Sequence, residues 1–245
     1  MLSHGESSAL LPSLRDSLIS LRNLFSWAPP RQVPFFLPTE CDQLYVDAFV
    51  TVHGSRLRAR ELSDTELGAV MNSGGHLDNG IGALLLPVCG RPLYFYTQLP
   101  PAAVQHLANG EGFIFSLEAI TPLLAALLFG NRLRGPYIVW EDNDSARGAL
   151  VKGHTGNPMV NTLIGTYWEV AAVQAASPWL RRVDTADNAA DSVSRRDFQL
   201  AKALGASRVY LPNNWWQILI HHLDTVPRTE AATRSLLRAM AAEGP

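Results

Sequence analysis

The hydrophobic pattern of this chain changes period partway along, and that change narrows the fold more than any other feature. Residues 44–52 form a β-branched and aromatic run, the composition that suits a buried strand, and 80–88 and 93–99 read as a second and a third strand. Gly90-Arg91-Pro92 separates the second run from the third, a turn short enough to impose antiparallel pairing. Polar residues 53–79 read as an inserted loop between the first two. From residue 117 helical spacing takes over, with predicted helices at 117–131, 144–152 and 159–176 and strands at 136–141 and 181–186. Strands separated by helices return by parallel crossovers. The expected fold is α/β, with an antiparallel edge.

A chain of 245 residues, 47% of them hydrophobic and 17% charged, can bury one domain's core and carry extensions. No apolar run reaches the length of a membrane span. Glu6 and the missing basic start argue against a signal peptide. A soluble, intracellular protein is expected, with nucleus or cytoplasm left open. The net charge of −2 gives no global signature of nucleic-acid binding, although a groove can be basic locally. Lys152 and Lys202 are the only lysines; the other basic residues are arginines. Cys41 and Cys89 are too few and too far apart for a zinc site, and free thiols are expected.

Four acids occupy positions where an ordinary solvated role competes with a chemical one. Asp47 lies inside the first strand between Val46 and Ala48, where a carboxylate is costly to bury without a cation or donor. On an edge strand it would simply face water. Asp142 follows the strand at 136–141, at the sheet end where α/β folds gather reactive groups. Its rivals are Glu141, which alternation turns away, and Asp144, which suits a helix cap. A calcium loop starting at Asp142 fails, because position six is Arg147 rather than glycine. Glu118 precedes Pro122, so its helix either kinks or starts at Thr121 with Pro122 first, leaving Glu118 on a preceding turn. Asp191 shares an acidic stretch with Asp184 and Asp187.

The neighbours of these acids carry a pattern. They are Tyr45-Val46-Asp47-Ala48-Phe49; Phe115-Ser116-Leu117-Glu118-Ala119; the run from Val139 through Asp142 to Ala146 and Gly148; and Asn188-Ala189-Ala190-Asp191-Ser192-Val193-Ser194-Arg195. The last is similar to an N-x-x-A-D-x-x-S-R ending. Over residues 41–196 the chain resembles the ribonuclease H domain of retrotransposon reverse transcriptases, with its D-E-D-D carboxylates. Spacings of 24 residues from Glu118 to Asp142 and 49 from there to Asp191 leave room for the intervening elements. The 71 residues from Asp47 to Glu118 exceed the family's need, which is why 53–79 reads as an insertion.

The resemblance implies a ribonuclease H-like mixed five-stranded sheet, three antiparallel strands then parallel ones, flanked by helices. It implies that Asp47, Glu118, Asp142 and Asp191 are the catalytic, metal-holding set for two Mg2+ ions, with Mn2+ as a substitute. The substrate would be an RNA–DNA hybrid whose RNA strand is cut, and a reverse transcriptase polymerase module a partner; no membrane is involved. Many such enzymes carry a histidine shortly before the last acid, and residues 182–190 have none. Residues 1–40 would be a helix and linker, docked on its own domain or left from a connection segment, and 197–245 a helical extension. There Trp215 and Trp216 are expected in the core, and His221 and His222 at the surface. Two alternatives stay open: a non-catalytic ribonuclease H-like relic or assembly domain, and a related nuclease or integrase on the same fold.

Overall fold

A computed structural model describes residues 12–27, 37–38, 40–52, 77–107 and 113–241 of the chain. Its sheet is built from β1 (Asp42–Val52), β2 (Leu77–Leu86), β3 (Leu93–Thr97), β4 (Gly135–Glu141), β5 (Ala176–Arg182) and β6 (Ser207–Arg208). They lie in the order β5-β4-β1-β2-β3-β6. β1, β2 and β3 pair antiparallel, while β4 runs parallel to both β1 and β5. This is the mixed sheet expected from the sequence, antiparallel on one side and parallel on the other. A sixth strand, β6, lies parallel against β3 and was not expected; two residues are too short to leave a periodic signal.

The helices are α1 (Pro12–Trp27), α2 (Pro101–Leu107), α3 (Phe113–Phe129), α4 (Asp144–Lys152), α5 (Pro158–Val173), α6 (Ala189–Ser194), α7 (Gln199–Ala203), α8 (Trp215–Thr225) and α9 (Glu230–Ala241). Strand alternation sorts β1 into two faces. Leu44, Val46, Ala48 and Val50 face the main core with α3, α5, α8 and α9. Tyr45, Asp47 and Phe49 face the other side, where a smaller cluster joins Leu84 and Tyr94 to Val193 of α6 and Ala201 of α7.

Several expected boundaries move, each for a local reason. Helix α3 begins at Phe113 and carries Pro122 inside it, so Glu118 is helical rather than on a preceding turn. The helix tolerates the lost bond because nearly all of it is buried, and packing outweighs the local defect of a proline. The last large strand is Ala176–Arg182, not 181–186. It carries Pro178, which a sheet edge such as β5 tolerates because the missing donor can lie on the unpaired side. Helix α5 ends early because Ala175 turns left-handed at φ 53° and the strand starts at once. Residues 77–79 belong to β2, so the expected insertion is shorter at its end; positions 53–76 lie outside the described residues, as does most of the expected linker.

Trp215 and Trp216 are buried, as expected, but of His221 and His222 only His221 is exposed. His222 is buried, because it follows Trp215 and Leu219 at helical spacing on the same face of α8. No helix among the described residues is long and apolar enough to cross a membrane.

Candidate metal centre

Three elements bring three acids to one point. Asp47 comes from the middle of β1, Glu118 from α3 beneath the sheet, and Asp142 from the residue just after β4. One carboxylate oxygen from each lies within 4.8 Å of the other two. Asp47 and Glu118 are buried, and Asp142 is half-buried. None of the three forms an ion pair among the described residues.

The electrostatics record what this proximity costs. Burial raises the Asp47 carboxyl from its ordinary 3.8 to about 7. The hydrogen bond from the Ser194 hydroxyl opposes the rise, and the charges of Asp142 and Asp191 add to it. Burial also holds Glu118 well above the usual carboxylate range, reinforced by Glu141, Asp47 and Asp142 and opposed by the Ala48 backbone N–H. Glu118 Oε2 is fully buried with no hydrogen-bond partner. Like charges this close cannot all ionise unless a cation joins them. An all-carboxylate set with an orphaned oxygen fits a hard, oxygen-seeking divalent ion such as Mg2+ or Mn2+.

Asp191, the fourth expected acid, lies outside this triad. It sits in the first turn of α6 and receives the Arg195 Nε at 2.9 Å, one turn later. The helix itself is fixed to β1 and β2 by residues of the motif that suggested it. Asn188 donates from Nδ2 to the Val46 carbonyl at 2.9 Å and caps α6 through Oδ1. Ser194 donates to Asp47. Close approach needs glycine below: a Cβ on Gly82 would stand 2.5 Å from the Ser194 nitrogen. The motif therefore docks a helix on the acid-bearing strand as well as carrying an acid.

Two expectations at the end of β4 need correction. The cap of α4 is Asn143, whose Oδ1 accepts from the backbone of Ser145 and Ala146, each at 3.0 Å. Asp144 instead sits in the first turn, exposed and paired with Arg147 and Arg182. Glu141, expected to turn away from the acids, falls on the buried side of β4 with Tyr137 and Val139, where it is fully buried and its charge acts on Glu118. Burial holds its carboxyl well above the usual range, against the pull of the Asn143 N–H that it accepts at 3.1 Å. Its closeness to Glu118 could not be read from strand periodicity, which gives a face but not what lies beyond it.

No protein-family model matches the chain, and no curated protein sequence does. Among solved structures, the RNase H1 of the halophilic archaeon Halobacterium salinarum is similar over 62% of this chain and 96% of that one. The two share 14% sequence identity with a TM-score of 0.37. At that level the likeness adds nothing to what the topology and the acids themselves argue.

Proposed function

We propose that this protein is an endoribonuclease that hydrolyses the RNA strand of RNA–DNA hybrids with two divalent ions, Mg2+ or Mn2+. The observation that carries the reading is the convergence of Asp47, Glu118 and Asp142 within 4.8 Å, uncompensated by any paired cation among the described residues. The order of these acids along the chain, with Asp191 following, supports a ribonuclease H-type reaction. So does a mixed sheet whose first strand carries one acid and whose fourth delivers another. The retroelement origin rests on the Asn188-to-Arg195 motif, and a polymerase module would be the partner that origin suggests. The catalytic unit would be residues 41–196, working inside the cell.

Asp47, Glu118 and Asp142 would hold the first ion, and Asp191 would serve the second once Arg195 turns to a phosphate. Bound divalent ions activate an attacking water and neutralise the leaving oxygen. The chain's own residues set the geometry. Ser194 keeps the Asp47 carboxylate oriented, the Ala48 N–H keeps Glu118 turned toward it, and the Asn143 cap fixes the turn on which Asp142 sits. Discrimination for RNA would rest on contacts to its 2′-hydroxyls.

A magnesium-dependent cleavage assay on labelled substrates tests this. The hybrid should be cut, leaving 5′-phosphate and 3′-hydroxyl ends, while duplex DNA stays intact. Equal cutting of both would point to a general nuclease of the same fold. A second reading, a non-catalytic relic or assembly domain, is favoured by one observation, the Asp191–Arg195 ion pair. It predicts that neither substrate is cut at any metal concentration.

A further inference from the structure

The acid-bearing face of the sheet continues sideways into a group of aromatic and arginine side chains that the proposed reaction does not use. Asp47 pairs in register with Gly82, and Gly82 with Tyr96. Paired residues share a face, so Tyr96 stands two strands from the acid, on the order of 10 Å away along the sheet. Beyond it, β6 adds Arg208 opposite Tyr94. The Arg208 guanidinium lies 5.9 Å from the Tyr96 ring centre, 5.3 Å from Phe198 and 4.7 Å from Tyr210. Tyr210 is 47% exposed.

Charge marks this group as a site that wants an anion. Arg208 forms no ion pair among the described residues, and its Nε is buried without a hydrogen-bond partner. Arg196, between this group and α6, differs: its charge is met by Asp78, and its Nε donates to the Tyr96 hydroxyl at 2.6 Å. An arginine stacked among three rings with no acid to answer it offers a phosphate contact, and the exposed ring beside it offers a stacking surface. Bases inside a duplex hide their faces, whereas unpaired bases present them to aromatic side chains.

We propose that the β3–β6 edge is a platform for single-stranded nucleic acid, where Tyr210 stacks on an unpaired base and Arg208 holds its phosphate. Resting on the hybrid-cleaving function proposed above, this makes the preferred substrate a hybrid with a single-stranded extension leaving the active site along the sheet. The platform lies on the unexpected sixth strand, so it belongs to this chain's own elaboration of the fold.

The test is an anisotropy titration without divalent metal, comparing a blunt RNA–DNA hybrid with hybrids carrying a short extension at either end. In the wild type one extension should tighten binding about tenfold, the size expected for one stacked base. Tyr210→Ala and Arg208→Ala should each remove most of that gain and leave blunt-hybrid affinity unchanged, while Tyr210→Phe keeps it. Tyr210 is exposed, so its variant keeps the test valid if Arg208→Ala fails to fold. An extension that adds nothing in the wild type, or a gain that survives Tyr210→Ala, overturns the platform. Cleavage of the blunt hybrid is scored separately. A protein that gains from the extension but cuts nothing keeps the platform and loses the ribonuclease, and the reverse result does the opposite.

Discussion

Two buried glutamates on neighbouring helices meet burial in opposite ways. Glu169 of α5 is held at 3.0 Å by Arg228 Nη1, and that guanidinium also reaches the Thr162 carbonyl at 3.3 Å. Gly165 makes room for it, since a Cβ there would run into the arginine. Glu118 of α3 has no such partner. Its charged neighbours are Glu141, Asp47 and Asp142, all of one sign. Burial raises both carboxyls, but Arg228 opposes the rise at Glu169, whereas three acids add to it at Glu118. Among the described residues the fold pairs a cation with the structural acid and pairs none with the three it gathers. That contrast argues for a centre completed by ions from solution.

The largest effect should separate the two regions by activity. Asp142→Asn, or Asp47→Asn, removes a charge on which the proposed ions depend and should lower hybrid cleavage at least about a thousandfold, about 4 kcal/mol of barrier. Replacing Arg228 should leave the cleavage rate per folded molecule unchanged. If Arg228→Met abolished turnover in a protein still folded, the two regions would not be independent.

Stability should show the reverse. Arg228→Met strands Glu169 in the interior and should cost about 3 kcal/mol, the usual penalty for breaking a buried pair from one side. Asp47→Asn in metal-free protein should cost nothing or stabilise slightly, because it relieves repulsion. Urea unfolding without metal measures both. A metal-free Asp47→Asn protein as damaged as Arg228→Met would mean that the acids are already compensated.

Metal and pH sharpen the same contrast. Saturating Mg2+ should stabilise the wild type by about 2.7 kcal/mol at a hundred times its Kd, and Asp47→Asn combined with Asp142→Asn should not respond. A proton competes for the same oxygens. Asp47 binds its proton more tightly folded than unfolded, so metal-free stability is greatest below its ordinary 3.8 and declines as pH rises through about 7. Saturating metal, which takes the ionised acids, should reduce or reverse that decline. Thermal midpoints with and without Mg2+ across this range check the sign; parallel profiles would mean that the acids do not share an ion.

How far the sequence announced all this depends on the kind of signal. The strand runs, the turn at Gly90-Arg91-Pro92 and the switch to helical spacing encode their structure locally, and the sheet follows from them. The three converging acids stood out through the resemblance of their flanking motifs to a known carboxylate set, since local spacing alone left each a solvated role. What stayed hidden depends on partners distant in sequence. Edge position excuses Pro178, burial along nearly all of α3 carries Pro122, and proximity across two elements makes Glu141 part of the acid-rich interior. Ser194 and Asn188 were visible as letters of a motif, but their contacts with β1 exist only after docking.

The smallest effects test how the end of β4 is held. Asn143 uses one oxygen to satisfy two backbone donors of α4, so Asn143→Ala should cost about 1 kcal/mol, the usual value for a lost cap. The same turn carries Asp142, and its loosening should lower cleavage as well. Asp144 looked equally suited to capping, yet it is 55% exposed and pairs only with the partly exposed Arg147 and Arg182. Solvent screens such pairs, and Asp144→Asn should change stability by no more than about 0.5 kcal/mol and leave cleavage intact. Chemical denaturation of the two variants, alongside their hybrid-cleavage rates, separates the roles. A larger loss for Asp144→Asn would move the cap to Asp144, shift the turn by one residue, and undo the placement of Asp142 beside Asp47 and Glu118.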